Sequence, residues 1–272
     1  MAKSRYRAEK AYNNREFMNS REARALRIHA EYMEPESRFE KFGVQDTIVF
    51  FGSARFKSRR QAQAALKEAR QSGGDWQAAE KALAMSRYYE DARSLAKRLT
   101  TWSKDLNSDD ERRFVVCTGG GPGIMEAANR GASEAKGLNI GLNISIPREQ
   151  HENPYITRHL SFEFHYFFMR KFWFAYMAKA IIVFPGGFGT LDELFEVVTL
   201  VQTGKLTRPI KIVLYGTEYW HRVINFDALA EFGTISKEDI KLMTVTDSVD
   251  AAYKNITEYL AGGAMHEPGG AL

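Results

Sequence analysis

Residues 184–199 read Phe-Pro-Gly-Gly-Phe-Gly-Thr-Leu-Asp-Glu-Leu-Phe-Glu-Val-Val-Thr, at the end of the apolar run Ala180–Phe184. A short apolar run that stops at a glycine-rich turn and resumes as a helical pattern is a strand–turn–helix unit. The same succession occurs twice upstream. Thr47–Phe51 leads into Gly52-Ser53-Ala54-Arg55, and Phe114–Thr118 leads into Gly119-Gly120-Gly121-Pro122-Gly123. Parallel strands need long crossovers, so strands alternating with helices predict an α/β fold: a parallel sheet with helices on both faces. All three turns follow strand C-termini and should lie on one edge, where such sheets bind ligands at a switch point.

The remaining segments fit this plan. Residues 1–45 are highly charged; Arg15–Met33 has helical composition and predicts a helical arm that packs on the body or on a second subunit. Helices are expected at about 59–72 and 75–103, with Asp75 as N-cap, and at Ile124–Lys136, closed by Gly137. Strands are expected at Leu138–Ile146 and Leu160–Phe164, with a loop over Arg148–His159. A helix is expected over Tyr166–Lys179, another over Thr190–Gln202, then a strand at Ile210–Tyr215. Helix Tyr219–Phe232, a turn at Lys237–Ile240 and helix Val249–Leu260 complete the pattern. The boundaries predicted are therefore an arm (1–45), a catalytic domain (46–261) and a glycine-rich flexible tail (262–272).

Composition narrows the class. The chain is 44% hydrophobic and 26% charged, ordinary globular values, with a net charge of only +4. That balance does not point to nucleic acid, and a small anion needs only a local positive site. The single Cys117 follows Val115 and Val116 and reads as a buried core residue. No apolar run is long enough to span a membrane, and the polar N-terminus lacks a signal-peptide core, so a cytoplasmic location is expected.

The residues that carry chemistry cluster at the turns. Free backbone N–H groups and the positive helix end make residues 186–190 an anion site, and Thr190 adds a hydroxyl. Gly186, Gly187 and Gly189 allow positive φ and close backbone approach to a ligand. Asp192 and Glu193 stand at its lip. Thr190-Leu191-Asp192-Glu193 also fits the capping box, in which Glu193 merely caps its own helix. Neither glycine loop satisfies G-x-G-x-x-G, and no Walker motif occurs. Arg170 and Lys171 lie inside the aromatic stretch Phe167–Trp173, either paired with an anion or snorkelling outward. The 6 histidines show no metal-ligand spacing, and no G-x-S-x-G is present. No metal and no cofactor are expected.

Taken together, these motifs resemble one family. Pro185-Gly186-Gly187-Phe188-Gly189-Thr190-Leu191-Asp192-Glu193 resembles the P-G-G-x-G-T-x-x-E signature of the Lonely Guy family, long mislabelled as lysine decarboxylases. Arg170-Lys171 precedes it at the family's spacing. Thr118–Glu126 and Gly52–Arg55 resemble the family's other two loops. The resemblance covers roughly residues 46–260. It implies a Rossmann-like domain, assembled as a homodimer or larger, that hydrolyses the N-glycosidic bond of a nucleoside 5′-monophosphate such as AMP or a cytokinin riboside monophosphate. Carried over, Arg170 and Glu193 are the catalytic pair. Gly119, Gly120, Gly121, Lys171, Gly186, Gly187, Phe188, Gly189, Thr190, Asp192, Thr199 and Ser53 match substrate- and phosphate-binding positions. A ribose-binding acid corresponds to Glu149 or Glu152. The chain departs from the short members, which read M-H-x-R-K where Phe167-Phe168-Met169 precede Arg170 here. The arm and the helices at 59–103 resemble longer bacterial members. A non-catalytic nucleotide carrier on the same scaffold is the alternative.

Overall fold

In a computed structural model of the protein, residues 8–106, 111–145, 153–206, 208, 210–263 and 268–270 are described. The chain runs α1 (Arg15–Asn19), α2 (Arg24–Lys41), β1 (Thr47–Phe51), α3 (Arg59–Ser72), α4 (Trp76–Lys104), β2 (Val115–Thr118), α5 (Ile124–Glu134), β3 (Asn139–Ile144) and β4 (Ser161–Phe164). It continues through α6 (Phe167–Met177), β5 (Ala178–Val183), α7 (Phe188–Gln202), β6 (Lys211–Tyr215), α8 (Thr217–Val223), α9 (Phe226–Glu231), α10 (Lys237–Ile240), β7 (Met243–Thr246) and α11 (Val249–Gly262).

The strands form one 7-stranded sheet in the order β4-β3-β2-β1-β5-β6-β7, and every pairing is parallel. The chain builds outward from β1 on one side, then crosses to β5 on the other. That reversal puts the switch point at β1 and β5, the strands that feed the first and third loops. Alternation along the strands divides the core in two. Val49, Phe51, Val115, Cys117, Ile181 and Val183 face a layer holding α2, α6, α7 and α8. Ile48, Phe50, Val116, Ala180 and Ile182 face α4, α5 and α11. Both faces are covered, which is why these strands read as continuous apolar runs.

The arm lies on the body. Its helix α2 passes through Pro35, four residues after Glu31, and reaches Lys41 rather than ending at Met33; the helical run is interrupted ahead of it, between α1 and α2. Proline has no N–H, so the Glu31 carbonyl loses its helical donor. The Trp173 indole donates to that carbonyl instead, at 3.0 Å. The Glu31 carboxylate accepts the His165 and Tyr166 N–H groups at 2.8 and 3.1 Å, so the arm caps α6 from outside.

Other boundaries also move. The predicted helix to Lys179 ends at Met177, and Lys179 lies in β5; no glycine or proline separates the two elements. Helix 219–232 is two helices, because Asn225 accepts the Ala228 N–H and restarts the chain as α9. β7, four residues at the sheet edge, was not expected. α5 ends at Glu134, and past its end Lys136, not Gly137, takes the left-handed region; Gly137 is required because a Cβ would lie 2.2 Å from Thr100. Asp75 caps α4 as expected, accepting from Ala78. In the tail, the Pro268 and Gly269 carbonyls accept from Arg208. Among the described residues, no helix is long and apolar enough to cross a membrane.

Candidate active site

The three glycine- and serine-rich turns meet on one edge of the sheet, as their positions after strands required. Ser53 N–H donates to the Pro185 carbonyl (3.0 Å), and the Ser53 carbonyl accepts from Ile124 N–H (3.1 Å). The first turn thus stitches the other two together. Gly123 has φ +72°, and a Cβ there would stand 2.2 Å from the Ser53 carbonyl oxygen. The turns surround a cleft of about 670 Å³ lined by Gly52–Phe56, Gly119, Met125, Phe167, Arg170, Gly186–Thr190, Asp192, Glu193 and Tyr219.

Arg170 and Glu193 form a buried pair at its floor. Nη1 of Arg170 donates to Oε1 of Glu193 at 3.2 Å, and Nε donates to the Leu142 carbonyl at 2.8 Å. Their side chains are 11% and 9% exposed. The guanidinium packs over the Phe174 ring. Gly119 makes room for it, because a Cβ there would lie 2.5 Å from Nη2. Arg170 therefore turns inward and does not snorkel.

Glu193 is not a helix cap. α7 opens at Phe188 with Gly187 as N-cap, two residues earlier than expected, so Thr190 and Glu193 sit inside the helix. Gly187 has no side chain to cap α7, and among the described residues no side chain accepts from the N–H groups of its first turn. Nor do Gly186, Gly187 and Gly189 adopt positive φ. Their roles are spatial. A Cβ at Gly186 would strike Thr190, whereas Gly187 and Gly189 border open space and leave bare backbone facing the cleft. The Tyr219 hydroxyl donates to the Gly186 carbonyl and holds the turn.

Burial pushes the Glu193 carboxyl up to about 7, against the pull of Arg170 and Lys171 and with the help of Glu196 and Asp192. Burial likewise lowers the Arg170 guanidinium, opposed by Glu193. Cys117, buried in β2 nearby, has its thiol pushed up by burial and stays an inert core residue.

Not every expected site residue reaches the cleft. Lys171 bonds Asp192 at 2.8 Å and Glu196 at 3.1 Å, and it lines, with Phe195 and Thr199, a separate groove on the outer face of α7. The Thr199 hydroxyl donates to the Phe195 carbonyl. Phe188, 91% exposed, stands between groove and cleft. Gly120 and Gly121 lie behind Gly119, their carbonyls accepting from Asn153 Nδ2. Glu149 and Glu152 lie outside the described residues.

A buried polar hub behind the second loop escaped the sequence reading. Oδ1 of Asn129 accepts from Thr118 Oγ1 (2.6 Å) and from Asn153 Nδ2 (3.0 Å), while its Nδ2 donates to Asn139 (2.8 Å). Thr118 Oγ1 accepts the Gly120 N–H. The hub fixes the loop from below. Its one visible sign is Asn129, a polar residue on the apolar face of α5.

An all-parallel sheet with its turns gathered at the switch point defines a doubly wound α/β fold, which takes ligands at that edge. Residues 125–256 match the family described as "possible lysine decarboxylase". Over about 91 residues the chain is 33% identical to cytokinin riboside 5′-monophosphate phosphoribohydrolase LOG3 and, likewise, LOG4 of Arabidopsis thaliana. It is 30% identical over 101 residues to a probable enzyme of the same name, LOG4, of Oryza sativa subsp. japonica. The matches span 33–37% of this chain and 42–44% of those relatives. Over these residues the chain is similar to the Lonely Guy or lysine-decarboxylase-like proteins, and it spans less than half the length of the curated relatives it matches. Among solved structures, the molybdenum cofactor binding protein of Rippkaea orientalis aligns at TM-score 0.46 and 15% identity, over 79% of this chain and 98% of that one. The Moco carrier protein of Chlamydomonas reinhardtii aligns at 0.44 and 20%, over 80% and 99%. Alignments at this level carry no argument about the site.

Proposed function

We propose that the protein hydrolyses the N-glycosidic bond of a nucleoside 5′-monophosphate, AMP or a cytokinin riboside monophosphate, to free base and ribose 5-phosphate. The observation that carries this reading is the buried Arg170–Glu193 pair on the floor of a cleft whose rim is an uncapped helix N-terminus. The bare N–H groups of α7 suit a phosphate. Cleavage breaks the bond between C1′ and the base nitrogen, whose electron pair leaves with the base, and positive charge develops on the ribose ring. The Glu193 carboxylate stabilises that charge and takes a proton from the attacking water, which is returned to the base. Arg170 holds the carboxylate in place. The match to enzymes named phosphoribohydrolases supports the same reading.

The test is release of adenine from AMP, followed by chromatography, in the wild type and in Glu193→Gln and Glu193→Asp. Losing the carboxylate should cost about a hundredfold or more in rate. The aspartate variant keeps Arg170's ionic partner while withdrawing the oxygen from the cleft. Near-normal turnover in both folded variants would show that Glu193 is not the catalyst.

A nucleotide carrier without turnover is the second reading. It is favoured by the way Arg170 and Glu193 satisfy each other and the Leu142 carbonyl with no substrate needed. AMP bound without adenine released would establish it. Lysine decarboxylation by pyridoxal phosphate needs a Schiff-base lysine, and among the described residues no lysine lines the cleft.

A further inference from the structure

The charges lining the cleft do not balance against a nucleotide. Among the described residues, four charged side chains line it: Arg55, Arg170, Asp192 and Glu193. Arg170 is bonded to Glu193, and its charge is offset whenever Glu193 is ionised, the state the chemistry requires. Asp192 is bonded to Lys171, which also faces Glu196; one cation against two carboxylates leaves that group net negative and no attraction for phosphate. A phosphate monoester brings about −1.5 to −2 charges near neutrality. Among the described residues Arg55 is the remaining cation of the cleft. Among the described residues no carboxylate pairs with it, and its side chain is exposed at the cleft wall.

Its backbone, by contrast, is fixed. The Arg55 N–H donates to the Ser53 hydroxyl oxygen at 3.1 Å, leaving the Ser53 O–H free to donate. Ser53 is itself tied to Pro185 and Ile124, the residues that flank the other two loops. A Cβ at Gly52 would lie 2.8 Å from the Ile124 side chain, so the turn is wedged against α5. An arginine with a rigid root and no carboxylate partner among the described residues is suited to charge-assisted, bidentate bonds to phosphate.

We infer that Arg55, with the Ser53 hydroxyl, is the cationic ligand of the substrate's 5′-phosphate and sets the preference for nucleotides over nucleosides. The inference rests on the nucleotide reading of the site. It puts the selectivity in the first loop, whereas the Pro185–Glu193 signature supplies neutral donors and two carboxylates but no cation.

The test compares the full-length wild type with Arg55→Gln and Arg55→Lys. Binding of AMP and of adenosine is measured by calorimetry at two salt concentrations, adenine release by chromatography, and folding by thermal melting. In Arg55→Gln, AMP affinity should fall on the order of 10- to 100-fold, with most of its salt dependence lost. Adenosine affinity should change by less than about threefold, since a charge-specific contact is absent there. Arg55→Lys should recover part of the loss. Wild-type AMP affinity in Arg55→Gln, or equal loss for AMP and adenosine, overturns the assignment and leaves the hydrolase reading intact. A wild type that binds AMP through Arg55 but releases no adenine overturns the hydrolase reading and upholds the assignment. A wild type that neither binds nor cleaves AMP overturns both.

Discussion

Glu193 is worth most to the protein when protonated and most to the proposed reaction when ionised. Its carboxyl titrates near 7 in the fold against an ordinary 4.5, because burial outweighs the pull of Arg170. A carboxyl raised in this way adds stability that is fully present below about pH 4.5 and lost as pH rises through about 7. The contribution is up to about 3 kcal/mol. Urea melts between pH 5 and 8 should show stability falling with pH, and Glu193→Gln should flatten that slope. An unchanged slope would mean that Glu193 titrates normally. The specificity constant for AMP should rise through the same window, since the reaction draws on the carboxylate. Gly119 is the second point at which one atom decides. Its missing Cβ leaves room for the Arg170 guanidinium, which Leu142 and Glu193 hold from the other sides. Gly119→Ala should lower turnover on the order of a hundredfold by displacing the guanidinium, at a stability cost of only about 1 kcal/mol. Adenine release and melting measured on one preparation separate the two effects; normal turnover would place Arg170 outside the chemistry.

Among the elements, α6 matters most, because it carries Arg170 and is held by the arm. Glu31 holds it twice, by its carboxylate on the two residues that lead into the helix and by its carbonyl at Trp173. Removing the carboxylate in Glu31→Ala should cost about 1–2 kcal/mol, the value of a helix cap. It should also speed hydrogen exchange at the start of α6 more than elsewhere. Exchange unchanged at α6 would show that the arm does not brace the helix. α7 is the complementary case. Six of its companions are capped by their own preceding side chain: Asn14, Ser58, Asp75, Asn225, Ser236 and Ser248. α7 begins at a glycine and keeps its donors free. The T-x-x-E spacing that suggests a cap at Thr190 is the by-product of a helix that starts two residues earlier.

At the scale of the whole molecule, three turns separated by long stretches of chain form one cleft because a parallel sheet points every strand the same way. The join between them is tight. Gly123→Ala would combine left-handed strain with a backbone contact at Ser53 that has no room to yield. It should cost about 3 kcal/mol or more and weaken AMP binding as the loops part; denaturation at wild-type strength would show that the loops are not locked. Much of this was legible along the chain. Apolar runs ending in glycine marked the strands and their turns, and Asp75 marked its own helix. Where no breaker interrupts an apolar run, as between Met177 and Ala178, the boundary was invisible, and β7 was too short and polar to register apart from its partner β6. Local pattern determines what each segment becomes, because periodicity and turn chemistry act between near neighbours. Only the tertiary structure decided what the site residues do. It turned Arg170 inward to Glu193, drew Lys171 and Thr199 to the outer face of α7, and set Arg55 at the cleft wall with no carboxylate paired to it among the described residues. Burial and pairing are properties of residues far apart in the chain, and they come into being only when the sheet closes.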